Sequence, residues 1–463
     1  MGTPMLLDPH AHLLWAPNAW VKGQWRERVV LEIDASGQWR SITPDLPCPE
    51  GATVLRGPAL PSLVNAHSHA FQRAFVGQAE TRDGEHDDFW SWRDRMYRVA
   101  LRVTPEQLRK IAAHLYVELL KGGYTQVCEF HYLQHQPDGQ KYDDPAMMCW
   151  ALADAAADAG IGLTLLPVLY ERAGFNKPLL REDQRRFATS AQDVLALQRA
   201  ISAARRPIVN AGVAVHSLRA ARPESLRAVA EGAGAAPVHI HVAEQTAEVD
   251  DCLQASGCRP IEWLAQHAGL DARWQLVHAT HSTPGEIDAV AKSGAGIVLT
   301  PGTEANLGDG LADVPGWLAA GVPIAIGSDS QVLRAWPEEL RWLEYGQRLA
   351  HRQRNVAAFP AGGEPSTAAR LFNLANSSGA AAAGLTNWGL QAGARADLLV
   401  VNTHDDALRG VLQSRLLDAV VFAAPSQPFS DVMVAGRWAN IHGPRAAALA
   451  QDFENTLHEL EVP

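Results

Sequence analysis

The chain has 463 residues, 47% of them hydrophobic and 20% charged, a balance that buries a large core and excludes a disordered tail or a small disulfide-stapled scaffold. With 40 Lys and Arg against 51 Asp and Glu, the formal net charge is −11. No basic block interrupts that excess, so nucleic acid and anionic membrane are excluded as main partners and a small molecule is expected. The five cysteines, Cys48, Cys128, Cys149, Cys252 and Cys258, fall at no CxxC spacing, which disfavours a disulfide framework and a thiolate zinc site and fits a reducing compartment. Residues 1–17 hold no basic segment leading into an apolar stretch, and no window approaches the roughly 20 apolar residues of a membrane span, so a cytoplasmic protein is expected. Gly2 opens no myristoylation signal, because Leu6 stands where Ser or Thr is needed.

The opening reads as short strands, residues 5–7 and 29–33 among them, broken by turn-prone pieces at Ser36-Gly37 and residues 44–51. From Leu63 the texture changes to apolar runs of strand length alternating with helical patterns, the mark of repeated βα units and a parallel sheet. The runs are 63–66, 124–130, 163–169, 211–215, 237–242, 274–277, 295–299 and 323–326, and eight such units close a (β/α)8 barrel. One intervening helix is explicit: Thr104 and Gln107 form a capping box, Pro105 takes the first helical position, and Leu108, Ile111, Leu115 and Leu119 share a face. Gly122-Gly123 stops it. Helices are then expected at 338–354 and 366–383, and strands at 396–401, 419–422 and 431–434, with turns near Gly393 and Gly436-Arg437. The predicted fold is thus α/β: a barrel over residues 59–389 and a small β-sandwich domain assembled from 1–58 and 390–463.

Polar residues fall where the apolar runs end, and in such a barrel all strand C-termini open on one face. The first run ends His67-Ser68-His69, the fifth His241-Val242-Ala243-Glu244, the sixth at His278 and the eighth at Asp329. Imidazoles with one carboxylate suit a catalytic Zn²⁺ with an open position, and Fe²⁺ or Mn²⁺ accept the same set. A lone HxH is more often coincidence than ligand, and His10-Ala11-His12, upstream of the barrel units, is read as such a decoy. The ordered recurrence at runs one, five, six and eight is what carries the argument.

Those strand ends, with HVAE from His241, VHATH from Val277 and GSDS from Gly327, resemble the amidohydrolase superfamily. Its mononuclear deaminase branch fits, because the fourth run leads into His216-Ser217-Leu218-Arg219 and offers no metal-bridging lysine; one metal is implied. Within that branch NAHSHAFQRAFVG from Asn65, EFHYLQH from Glu129, VAVHSLRA from Val213, HIHVAEQTAEVDDC from His239 and TEANLGDG from Thr303 resemble the formimidoylglutamate deiminases. The tail, GARADLLVVN and VMVAGRW, looks like the superfamily's β domain.

The resemblance implies that His67, His69, His241 and Asp329 hold the metal, which would lower the pKa of water toward about 7 for attack on an amidine carbon. Asp329 would also take a proton, Glu244 would carry it to the departing nitrogen, and His278 would orient the attacking oxygen. Arg219 is implied as the clamp for a dicarboxylate, N-formimidoyl-L-glutamate of histidine degradation, with His216, Tyr132 and Gln72 as hydrogen-bond partners. His239 points away from His241 by strand alternation and is read as structural. His131, His135 and His281 are read as lesser residues around the site, and Trp90 and Trp92 as part of a loop, a partner surface or a lid. Glu304 and Asn306 receive no role. Two other readings stay open: a nucleobase or other aromatic aminohydrolase with the same metal core, and a noncatalytic scaffold. Similar barrels form dimers, so a homodimer is expected.

Overall fold

The computed structural model describes residues 12–82, 87–425 and 427–461. The expected strand at 5–7 and His10 of the decoy lie outside them, and His12 is exposed. The head of the chain supplies β1 (Leu13–Val21), β2 (Gln24–Ile33), β3 (Trp39–Thr43), β4 (Thr53–Val54) and β5 (Ala59–Leu60). The barrel follows: β6 (Leu63–Ser68), β7 (Tyr124–His131), β8 (Gly162–Leu169), β9 (Val209–Ala211), β10 (Val213–Val215), β11 (Val238–Val242), β12 (Trp274–His278), β13 (Gly296–Leu299) and β14 (Ile324–Ile326). The tail returns with β15 (Leu398–Val401), β16 (Phe429–Val434) and β17 (Arg437–Trp438).

Each of the eight expected runs is a strand of one parallel sheet, in the order β14-β13-β12-β11-β10-β8-β7-β6, with β9 beside β8. These strands are buried on both faces, so they read as continuous apolar segments rather than alternating ones. The sheet closes at a seam where Ser68 bridges Asp329 in parallel. There Asp329 N donates to His67 O at 3.0 Å and His69 N to Asp329 O at 3.2 Å. Gly327 makes that approach possible, since a Cβ on it would sit 2.7 Å from the His67 Cβ and 2.8 Å from two His67 backbone atoms.

Head and tail interleave in a second, mostly antiparallel sheet, β17-β16-β15-β5-β1-β2-β3, with β4 beside β1. Its own core includes Leu14, Leu31, Trp39, Leu398, Val400 and Met433. One expected strand is corrected: residues 419–422 belong to the helix Leu416–Phe422. Its buried residues, Leu416, Leu417, Val420 and Val421, recur at helical rather than alternating spacing. The last helix, Pro444–Glu461, packs on the barrel side, stacking Phe453 on His114 with ring centroids 4.5 Å apart.

Two helices matter for the site. α1 (Phe89–Ala100) starts on an Asp88–Ser91 capping box. α2 (Pro105–Lys121) starts on the predicted Thr104–Gln107 box with Pro105 in its first turn.

Candidate active site

Three buried imidazoles meet at the barrel's C-terminal mouth. His67 Nε2 lies 3.2 Å from His69 Nε2 and 3.0 Å from His241 Nε2, and Asp329 Oδ1 lies 3.5 and 3.4 Å from His67 and His69 Nε2. Two tautomers are fixed by carbonyls, which only accept: His69 Nδ1 donates to Phe130 O at 2.8 Å and His241 Nδ1 to His216 O at 2.9 Å. Burial keeps these rings neutral, depressing His67 to about 3 and lowering His69 and His241 as well. Their Nε2 lone pairs therefore point at one another and at His67, which carries at most one proton there. Converging lone pairs beside a carboxylate repel unless a cation sits among them, so this donor set fits a divalent metal ion. Burial works against the charge of Asp329. Hydrogen bonding and attraction from His67, with His278 and His69, nevertheless hold its carboxyl well below the usual range.

The strand ends that aim these groups turn sharply. Ala243, His278, Ala279 and Asp329 all have positive φ, between 47 and 70°, a region costing a non-glycine residue on the order of 1 kcal/mol or more. That strain is concentrated where the side chains must leave the sheet and face the mouth.

Beside the imidazoles lies an acid cluster. His278 Nε2 is 3.6 Å from Glu244 Oε1 and 3.8 Å from Asp329 Oδ2, and its Nδ1 is 3.5 Å from Glu304 Oε1. Burial disfavours a charged His278, but Glu244, Glu304 and Asp329 override it and raise the ring to about 10. Burial in turn lifts Glu244 to about 7, with Asp329 and Glu248 adding to the rise and His278 opposing it. Glu304 thus acquires a place that chemistry alone did not give it, and Asp309 is a residue the sequence reading missed. Asp309 is buried within 4.8 Å of Glu244 and His278, ligand atom to ligand atom. Its signals were its place in TEANLGDG and the GDG turn, where Gly308 and Gly310 flank it with positive φ.

All four expected substrate-binding residues, Gln72, Tyr132, His216 and Arg219, line one pocket with Glu244, His278 and Asp329. Gln72 Nε2 donates to the Tyr132 hydroxyl at 3.2 Å, while its Oε1 is buried without a partner. A second guanidinium, overlooked in the sequence, also lines the pocket: Arg93 of α1. Phe89, Trp92, Arg93, Met96 and Tyr97 all face it, at i, i+3, i+4, i+7 and i+8 of one helix face. Trp90 packs against both guanidiniums, with the Arg93 and Arg219 Cζ atoms 4.8 and 5.3 Å from its ring centroid. Trp90 and Trp92 therefore belong to a helix covering the pocket.

His281 bonds the Asp309 backbone beside the acid cluster, while three other histidines are held elsewhere. His239 is hydrogen-bonded to Ala382 O at 2.8 Å, and His135 to Ala188 O at 2.6 Å. His131 is buried outside the pocket lining. The cysteines are all free thiols. Among the described residues no helix is long and apolar enough to cross a membrane.

Comparison with known proteins agrees with this architecture. The amidohydrolase family profile matches residues 59–439. Formimidoylglutamate deiminase of Pseudomonas aeruginosa is 45% identical over 454 residues, covering 96% of this chain and 99% of the relative. A 5-methylthioadenosine/S-adenosylhomocysteine deaminase of Halobacterium salinarum is 28% identical, covering 74% of this chain and 72% of that protein. The crystal structure of an amidohydrolase from Brucella melitensis superposes with a TM-score of 0.92 at 41% identity, covering 97% of this chain and 99% of its own.

Proposed function

Because the chain belongs to the amidohydrolase family and is a hydrolase of carbon–nitrogen bonds, we propose that it converts N-formimidoyl-L-glutamate and water into N-formyl-L-glutamate and ammonia, as a step of histidine degradation. The observation that carries this reading is the pairing of Arg93 and Arg219 in the pocket that also holds Glu244, His278 and Asp329. Two guanidiniums match two carboxylates, whereas a flat neutral nucleobase asks for neither. Likeness to the Pseudomonas aeruginosa enzyme over nearly the whole chain adds support.

In this reading His67, His69, His241 and Asp329 hold one divalent ion, Zn²⁺ by ligand type, with Fe²⁺ and Mn²⁺ as chemically acceptable substitutes. Bound there, such an ion would lower the pKa of a water enough for attack at neutral pH. Asp329 receives the first proton. Glu244, whose carboxyl burial lifts to about 7, takes up the water's second proton; both protons pass to the departing nitrogen, which leaves as NH₃ rather than an amide anion, and both carboxylates return to their starting state. His278 donates a hydrogen bond to the attacking oxygen. Gln72, Tyr132 and His216 complete the grip on the substrate backbone. A cytoplasmic homodimer belongs to the same reading. Its support is the free cysteines and an exposed apolar stripe, Trp342, Tyr345 and Leu349, on the helix Trp336–His351.

The deciding experiment loads the purified chain with one equivalent of zinc and measures ammonia release from N-formimidoyl-L-glutamate, N-formimidoyl-L-aspartate, guanine and cytosine. Turnover of the first above the others is expected. Metal-replete protein that is inert toward it but deaminates a nucleobase overturns the assignment. A folded chain that binds no divalent ion would be a scaffold instead.

A further inference from the structure

A second cavity, of about 170 Å³, lies between the loop following β10 and the helix Thr246–Ser256. It shares no lining residue with the barrel-mouth pocket. One part of its wall is apolar, with Phe175, Leu218, Leu226, Cys252 and Trp263, and Asn176 and Ser256 add polar groups. One cationic side chain, Arg172, breaks that lining. Half-buried, it has no ion-pair partner among the described residues. The carboxylate next to it in sequence is committed elsewhere: Glu171 accepts from Arg222 N at 2.9 Å and Ser225 Oγ at 2.8 Å, with the Arg222 guanidinium 3.8 Å away. The Arg172 terminal nitrogens reach only two carbonyls, Leu218 O at 2.9 Å and Phe175 O at 3.4 Å. Its Nε is buried with no partner. Both hydrogen-bonded acceptors are thus neutral carbonyls, Glu171 and Glu224 support the charge only from further off, and donors of the guanidinium are left unused. A half-exposed guanidinium with unused donors at the edge of a cavity is placed to receive a planar anion.

We propose that this cavity is a ligand site separate from the active-site pocket, taking a small monocarboxylate with an apolar body of about one ring. The size argument is direct, because an apolar cavity of about 150 Å³ accommodates benzene. The charge argument selects the head group: a planar carboxylate accepts two parallel N–H bonds from a guanidinium, which a hydroxyl or an amide does not match. The site adjoins the catalytic apparatus through its walls. The Leu218 carbonyl that holds Arg172 immediately precedes Arg219, and Cys252 lies on the helix that follows Glu244. An occupant therefore bears on the loop that positions the dicarboxylate clamp, and it shifts KM more than kcat.

Benzoate is the probe, titrated by calorimetry and saturation-transfer NMR into the metal-loaded chain, with benzamide as its neutral isostere. One benzoate per chain is expected, with benzamide weaker by about tenfold or more. Arg172→Met, which removes the charge, and Ala255→Leu, which fills the cavity without touching Arg172, should each abolish binding, with thermal melts confirming that both variants fold. Binding should survive Arg219→Met. Benzoate that fails to bind at millimolar concentration, that ignores both cavity variants, or that disappears only in Arg219→Met overturns the proposal.

Discussion

At the scale of single residues the proposed mechanism assigns proton transfer and binding to different side chains, and substitutions can separate the two. Glu244→Gln keeps the shape of the side chain and removes its proton chemistry. The variant is expected to retain metal, measured by elemental analysis, while kcat falls roughly 10²–10⁴-fold; near-normal turnover would exclude Glu244 as the carrier. Arg219→Met removes a guanidinium whose bonds to a carboxylate are worth about 1.5–3 kcal/mol, so KM for the dicarboxylate should rise roughly 10–100-fold with metal content unchanged. The groups on which these predictions rest were legible to different degrees. His67, His69, His241, His278 and Asp329 were readable because each interrupts an apolar run at its C-terminal end, where polarity has no packing purpose. Arg93, Asp309 and Glu304 were not, because they sit on a covering helix and in the segment after the seventh barrel strand, where charged residues are common for many reasons. Arg93 left a trace in the helical stripe it shares with Phe89, Trp92, Met96 and Tyr97, and Glu304 and Asp309 in the stretch TEANLGDG, to which chemistry alone gave no role.

At the scale of elements, α1 delivers five pocket residues from one helix, so under the proposed function its placement should set substrate affinity. Its start depends on Asp88, whose side chain accepts from Trp90 N at 2.9 Å and Ser91 N at 3.1 Å. Asp88→Ala should cost about 1 kcal/mol of helix stability and show as a raised KM with little change in kcat, because Arg93 loses its fixed station while the chemical groups keep theirs. An unchanged KM would mean that packing of Met96 and Tyr97 holds α1 alone. The α2 capping box was legible in full, since the spacing of Thr104, Pro105 and Gln107 fixes the geometry locally. The segment 419–422 was not: four apolar residues fit a strand and a helix turn equally well, and packing of Leu416 and Val420 decided between them.

At the scale of the whole molecule, charge ties distant segments together, as would the proposed metal. Glu118 of α2 sits among Arg73 at 2.8 Å, Arg334 at 3.1 Å and His114 at 3.6 Å. Burial pushes its carboxyl up, but Arg73 and Arg334 hold it below its ordinary value. A depressed folded pKa means that its stabilisation is present above the unfolded value of about 4.3 and fades as pH falls through the folded one. Glu118→Gln should therefore lower the melting temperature near neutrality and flatten its decline in acid, as read by melts across pH. Metal removal should act similarly on the barrel: the candidate ligands come from the ends of β6 and β11 and from the turn after β14, and a ligand at 1,000 times its Kd stabilises by about 4 kcal/mol. Chelation should lower the melting point, and zinc should restore it. The union of head and tail in one sheet was legible only as a pattern of short strands at both ends of the chain. Their order depends on long-range pairing such as β5 with β15.

The seam at Ser68 and Asp329 has a consequence for the protein's making. His67 and Asp329 emerge from the ribosome hundreds of residues apart, yet they become neighbours only when the ends of the cylinder lock. A nascent or truncated chain ending before Asp329 lacks one wall of the metal centre. Under the proposed mechanism catalysis therefore awaits that closure, and its first appearance during synthesis would time the locking of the barrel.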